Sequence, residues 1–196
     1  MKLFKETVYT QEERQREYEF AFYFTKFADD VLDKIKSNAV EQTTIEQHDW
    51  LFQLPNTTVV TQRVRKTVRD NLPEFELTSK IVLGNGLRDE CTTTISEEEF
   101  FFYTQVATSK TIRTRFRLAQ SGSFILEVDD YMSENGSLIK IDVETESDVK
   151  RLAWGTVANQ YPYLRSVTPN HVTGPGYEKV DSSKFDVWWN QVRQSK

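Results

Sequence analysis

Cysteine is almost absent from this 196-residue chain, and Cys91 is its single example. No intrachain disulfide can form, and nothing asks for an oxidising compartment. Histidine is nearly as scarce. His48 and His171 lie far apart without partner spacing, so a histidine-rich zinc site and a Ser-His-Asp arrangement both lack support. Long apolar runs are missing too. No stretch approaches membrane length, and Met1-Lys2-Leu3-Phe4-Lys5-Glu6 lacks the apolar region of a secretion signal. We therefore expect no membrane partner and a cytoplasmic location. Strong net charge is also lacking. At −5 the balance argues against general nucleic-acid or membrane-surface binding, so any cationic patch must be local.

Aromatic residues, by contrast, are plentiful. With 13 Phe, 8 Tyr and 4 Trp in a 38% hydrophobic chain, disorder throughout is excluded. The length suits one domain, residues 1–196, with a core of its own. No repeat, low-complexity segment or long linker divides it.

The most informative stretch runs from Lys110 to Glu146. Lys110, Arg113, Arg115 and Arg117 punctuate one predicted strand; Glu127 and Asp129 a second, after the turn signal Ser121-Gly122-Ser123; Lys140, Asp142 and Glu144 a third. Asn135-Gly136 between the last two is a strong hairpin signal. Strand side chains alternate faces. The arginines therefore share one surface with Glu127, Asp129, Lys140, Asp142 and Glu144, and Phe116, Leu126, Val128, Ile139, Ile141 and Val143 share the other. Arginines beside carboxylates suit a polyphosphate and its metal ions.

Elsewhere the same alternation recurs. Glu17 and Glu19 oppose Tyr18, Phe20, Phe22 and Phe24. Strands are expected over 57–68, with Arg63 and Arg65 on one face, over 75–82 with Lys80, and over 87–95 with Arg88, Glu90 and Thr92. Asp70-Asn71 and Gly84-Asn85-Gly86 are turn signals. Helices are expected over 25–37, from Ser96, where Ser96 and Glu99 form a capping box, to about 108, over 147–158, and from Ser182 onward. Residues 40–56 are ambiguous, with Trp50, Leu51 and Phe52 in a short strand. Residues 160–181 hold three prolines and read as loop.

An ordinary open sheet would place the charged faces in water. The collective pattern favours closure instead: nearly every strand is charged on one face, the apolar faces are aromatic, and several amphipathic helices need a surface. The expected fold is α+β, an antiparallel β-barrel with a charged lumen and helices packed outside.

The ordered set Glu17-x-Glu19, Arg63-x-Arg65, Lys80, Arg88-x-Glu90, Arg113-x-Arg115, Glu127-x-Asp129 and Asp142-x-Glu144 resembles the CYTH superfamily, the triphosphate tunnel metalloenzymes. Val172-Thr173-Gly174 also resembles the family's segment before its last helix. The resemblance spans about Arg16 to Phe185. It implies an eight-stranded antiparallel tunnel that binds triphosphate compounds with Mg2+ or Mn2+. Family members include inorganic, thiamine and RNA triphosphatases and class IV adenylate cyclases. Two positions depart from the family pattern. Ala21 replaces a lysine, and Thr92 replaces a glutamate.

Phosphoryl transfer asks mainly for positioning and charge stabilisation, which arginine's planar fork supplies. Arg63, Arg65, Lys80, Arg88, Arg113 and Arg115 are the candidate phosphate ligands. Glu17, Glu19, Asp142 and Glu144, then Glu127 and Asp129, are the candidate metal ligands. Glu19, Arg63 and Arg115 are the candidate catalytic residues. The leading function is metal-dependent hydrolysis of the terminal phosphate of a triphosphate compound, such as inorganic triphosphate or a nucleoside triphosphate. Nucleotide cyclisation and binding without turnover stay open, as does a homodimer. Replacing Arg115 is expected to cost ligand affinity and little stability.

Overall fold

The computed structural model describes residues 18–25, 29–53, 59–84, 87–133, 136–145, 151–174 and 194–195. Among the described residues ten strands and three α-helices follow one another: β1 (Tyr18–Phe24), α1 (Asp29–Asn38), β2 (Ala39–Gln53), β3 (Val59–Arg69), β4 (Leu72–Gly84), β5 (Leu87–Thr94), α2 (Glu97–Thr104), β6 (Ser109–Leu118), β7 (Phe124–Ser133), β8 (Gly136–Thr145), α3 (Trp154–Gln160), β9 (His171–Thr173) and β10 (Gln194–Ser195). They form one antiparallel sheet in the order β5-β4-β3-β2-β6-β7-β8-β1-β9, with β10 on β6. The class is α+β.

The apolar side explains why β1 and β6–β8 form as the sequence predicts. Phe20, Phe22 and Phe24 of β1 join Phe116, Leu126, Val128, Ile139, Ile141 and Val143 in one buried core, capped by Val31 and Ile35 of α1 and Val157 of α3. Each large side chain removed from water in this way contributes roughly 1.5–3 kcal/mol. The Trp154 ring sits 5.0 Å from both Phe22 and Phe24. On the other arm α2, held by the reciprocal Ser96–Glu99 capping box, lays Phe100 over Val64, Phe75 and Trp50. Asp70 and Asn71, with φ of 50° and 65°, make the tight turn from β3 to β4. These are residue types that tolerate the left-handed region.

Four expectations change. First, the ambiguous residues 40–56 overlap a 15-residue strand, β2, which starts at Ala39 and runs to Gln53, in the middle of the sheet. Its Glu46, His48 and Asp49 are polar on both faces, so no apolar alternation announced it; pairing with β3 on one side and β6 on the other holds it. Second, residues 151–153 are not helical and α3 starts at Trp154, although a helix over 147–158 was expected. Third, the supposed loop 160–181 contains β9, which pairs with Ala21, Phe22 and Tyr23. Asn170 fixes that junction: its backbone N–H donates to the Tyr23 carbonyl and its Oδ1 accepts from the Thr25 N–H, both at 2.8 Å. The helix expected from Ser182 lies outside the described residues.

The fourth change concerns closure. Among the described residues no pairing joins β5 to β1, so the sheet is open rather than a closed eight-stranded barrel. The outer edge of β1 at residues 21–23 is occupied by β9, which leaves β5 no partner there. The sheet nevertheless curls. One cavity is lined by both Glu76 of β4 and Glu127 of β7. Those strands stand four places apart, roughly 19 Å on a flat sheet. A trough, not a tube, carries the charged face.

Candidate functional site

Strand register builds the charged face. On β6, Arg113, Arg115 and Arg117 lie beside Glu127 and Asp129 of β7; Glu127 and Asp129 lie beside Asp142 and Lys140 of β8. On β8, Glu144, Asp142 and Lys140 oppose Glu19, Ala21 and Tyr23 of β1. From the other side, Asp49 and Gln47 of β2 oppose Arg63 and Arg65 of β3. Glu17 lies outside the described residues, as do the side chains of Glu19 and Arg88.

The β6–β8 half is saturated with ion pairs. Asp129 is 1% exposed and receives Arg115 Nε at 2.6 Å and Nη2 at 2.8 Å, the two-pronged geometry that suits guanidinium to carboxylate. Arg113 Nε reaches the same carboxylate at 3.0 Å, and the Tyr131 hydroxyl donates to it at 3.4 Å. Arg115 also pairs with Glu127. Burial pushes the Asp129 carboxyl up, but the Arg115 hydrogen bonds and the charges of Arg113, Arg115 and Lys140 outweigh it and hold the group below its ordinary value. Arg115 is raised in turn: burial opposes its charge, and Asp129, Glu127 and Asp142 more than restore it. Lys140 Nζ contacts Asp142 at 2.6 Å. Burial disfavours its charge, yet Asp142 leads a set of neighbours that carry it above the usual lysine value.

The β3 half is different. Arg63 Nε donates to Asp49 at 2.9 Å. Arg65 has Glu76 no nearer than 3.8 Å, beyond hydrogen-bonding distance, and its Nε is buried with no hydrogen-bond partner among the described residues. Burial first, then repulsion from Arg113, Arg63 and Arg115, lowers its pKa to about 10. Arg65 faces a cavity of about 230 Å³, shared with Arg69, Arg115, Arg117, Glu76 and Glu127.

The structure thus brings Arg63, Arg65, Arg113 and Arg115 together, and places Lys80 apart, paired with Glu90 at 2.7 Å. It revises the expectation for Arg115, whose removal would strip a buried carboxylate of its main partner. Asp129 and Asp142, candidate metal ligands by sequence, are engaged by cations. Glu127 is likewise paired. No group of three or more His, Cys, Asp or Glu side chains converges for a metal among the described residues. Glu144 stands opposite Glu19 by register. Ala21 is 6% exposed and packs with Tyr23, Tyr131 and Leu138, so its side of the face is apolar where the family pattern carries a lysine. Asp49, Gln47 and Glu76 are site residues that sequence reasoning missed. Asp49 and Gln47 sit on the strand that had no readable period, and Glu76 would have required knowing the β3–β4 register.

No family model matches the chain, and no curated protein matches it either. Among solved structures, the PH1819 protein of Pyrococcus horikoshii OT3 superposes with a TM-score of 0.54 at 15% identity, covering 89% of this chain and 99% of that one. The inorganic triphosphatase NE1496 gives 0.42 at 17% identity over 67% and 75% of the two chains. A putative adenylyl cyclase from Hippeastrum, described as having a dominant triphosphatase activity, gives 0.42 at 13% over 88% and 95%. At these identities the likeness is one of fold. No helix among the described residues is long and apolar enough to cross a membrane.

Proposed function

We propose that the trough binds a triphosphate-containing small molecule and that the chain hydrolyses its terminal phosphate with Mg2+ or Mn2+. Arg65 carries the reading. A half-buried guanidinium crowded by three others, with a buried Nε that has no hydrogen-bond partner among the described residues and a depressed pKa, is unfavourable until an anion arrives. A polyphosphate supplies several oxygens and several charges at that spot. Arg65 and Arg63 would take phosphate oxygens directly. Arg115, oriented by Asp129, would present its outer face to the same group.

Donor chemistry tests the metal. Asp129 and Asp142 already pair with Arg115 and Lys140, and Glu19 and Glu144 are register partners on the adjacent strands β1 and β8. Like charges directly opposed on neighbouring strands repel. A hard divalent cation relieves that repulsion and completes its shell with water and phosphate oxygens. When bound, it would polarise the terminal phosphate. Glu19 and Glu144 would hold it; Arg63, Arg65 and Arg115 would orient the phosphates.

Binding without turnover is the second reading. It is favoured by the neutralisation of Glu127, Asp129 and Asp142 by cations of the protein itself. Phosphate release from inorganic triphosphate, ATP and thiamine triphosphate, with and without magnesium, separates the two. Magnesium-dependent release supports hydrolysis. A triphosphate-dependent rise in melting temperature without release over hours supports binding alone, and neither effect would refute both.

A further inference from the structure

We propose that Gln47 is a positioning residue: it ties the Arg63–Asp49 pair to the Arg113–Asp129 pair and so aims the Arg63 guanidinium at the phosphate. This rests on the polyphosphate reading and adds to it a residue that acts through another. Arg63 belongs to β3 and Arg113 to β6, the two strands that flank β2. With one strand between them their backbones stand roughly 10 Å apart. Two guanidinium groups also repel, so neither fixes the other directly.

The link runs through β2. Asp49 is buried and uses both carboxylate oxygens. Its Oδ1 accepts from Arg63 Nε at 2.9 Å, and its Oδ2 accepts from Gln47 Nε2 at 2.8 Å. Gln47 is buried as well, and its Oε1 accepts from Arg113 Nη1 at 3.0 Å. Arg113 Nε in turn lies 3.0 Å from Asp129, the carboxylate that also holds Arg115. One chain of polar contacts therefore crosses four adjacent strands, β3, β2, β6 and β7.

Chemistry settles how the Gln47 amide turns. An ionised carboxylate only accepts and a guanidinium only donates, so Nε2 must face Asp49 and Oε1 must face Arg113. Glutamate at this position would repel Asp49, and an apolar side chain would join nothing. The grip on Arg63 is equally specific. Asp49 takes Nε, the inner nitrogen, which leaves both terminal nitrogens for phosphate oxygens. A carboxylate held at one oxygen alone can rotate and carry the guanidinium with it. Gln47 secures the other oxygen, and small misplacements of such groups are costly for a reaction that depends on orientation. Buried polar networks of this kind act as units, which double-mutant cycles detect.

The test is such a cycle: calorimetric titration of inorganic triphosphate, with magnesium chloride, into the wild type, Gln47→Met, Arg63→Met and the double variant. Exchanging glutamine for methionine replaces neutral by neutral at similar length, so the charge facing the phosphate is unchanged. With Arg63 present, Gln47→Met is expected to weaken triphosphate about five-fold; with Arg63→Met it is expected to change affinity by less than about two-fold. If Gln47→Met does not fold, judged by circular dichroism, Gln47→Asn carries the same cycle, because it keeps the amide but is one methylene too short to span Asp49 and Arg113. Equal weakening in both backgrounds marks a general structural effect and overturns the positioning role, as does unchanged affinity in the single variant; the polyphosphate reading stands in either case. Absence of triphosphate binding to the wild type overturns the polyphosphate reading and the role of Gln47 with it.

Discussion

Arg115 and Arg65 are the same residue type on the same face of one sheet, and their surroundings push them in opposite directions. Arg115 is locked between Glu127, Asp129 and Asp142 and raised above the usual arginine value. Arg65 is crowded by arginines, distant from Glu76 and lowered to about 10. The difference divides the trough into a frame and a receiver. In the frame, cations and carboxylates satisfy one another and hold β6, β7 and β8 in register. In the receiver, the Arg65 Nε has no hydrogen-bond partner among the described residues, and an anion from outside would complete it. A charged side chain in a groove is therefore not by itself a ligand contact; its partners decide.

The largest effect should come from breaking the frame. Asp129→Asn leaves Arg113 and Arg115 buried without their shared carboxylate, and should cost roughly 3–5 kcal/mol in denaturant unfolding. The sign with pH follows. Asp129's folded pKa lies below its unfolded value, so its contribution is present above the unfolded value and is lost as pH falls through the folded one. Wild-type stability should decline with acid more steeply than that of Asp129→Asn, read from unfolding curves between neutral and strongly acidic pH.

Arg115→Ala comes next, at roughly 3 kcal/mol, since Arg113 still reaches Asp129. A silent unfolding curve for this variant would erase the distinction between frame and receiver.

An intermediate effect belongs to the receiver. Arg65 loses its proton at about 10 while Arg115 stays charged. Triphosphate affinity should fall as pH rises past about 10, by up to about tenfold per pH unit. Over the same range Arg65's contribution to folding stability rises with pH, because its folded pKa lies below the unfolded 12.5. Titrations at pH 8, 9, 10 and 11 read the first trend; unchanged affinity across them would count against Arg65 as a phosphate ligand.

The smallest effect sharpens the contrast from the other side of the sheet. Asp130 adjoins Asp129 but faces the apolar side. Burial raises its pKa, and Lys36 only partly offsets this. Because the charged form is disfavoured in the native state, Asp130→Asn should raise the melting temperature slightly near neutral pH. The gain should vanish below the ordinary value of 3.8, where both states are protonated.

How much of this the sequence revealed follows from the same contrast. β1 and β6–β8 were legible because Phe20, Phe22 and Phe24 and their counterparts alternate cleanly with charge, and their apolar faces are all buried. β2 was not, since Glu46, His48 and Asp49 put polar groups on both faces and only tertiary pairing makes it a strand. Closure could not be read either. It depends on which strand takes the outer edge of β1, and a three-residue strand from a supposed loop does so. The arginines of the site were visible by residue type. Their division into saturated and unsatisfied depended on register and on Asp49, Glu76 and Gln47, which no local pattern disclosed.

Calorimetric titration of inorganic triphosphate into wild type and Arg65→Met tests the central claim most directly, with unfolding curves taken on both. Methionine keeps much of the stem and removes the crowded charge. Affinity should fall by roughly 1.5–3 kcal/mol, the scale of a lost hydrogen bond to a charged group, while folding stability holds or improves as repulsion among the arginines is relieved. Affinity preserved within two-fold in a variant that folds normally would contradict the assignment of Arg65 as the receiver of the anion.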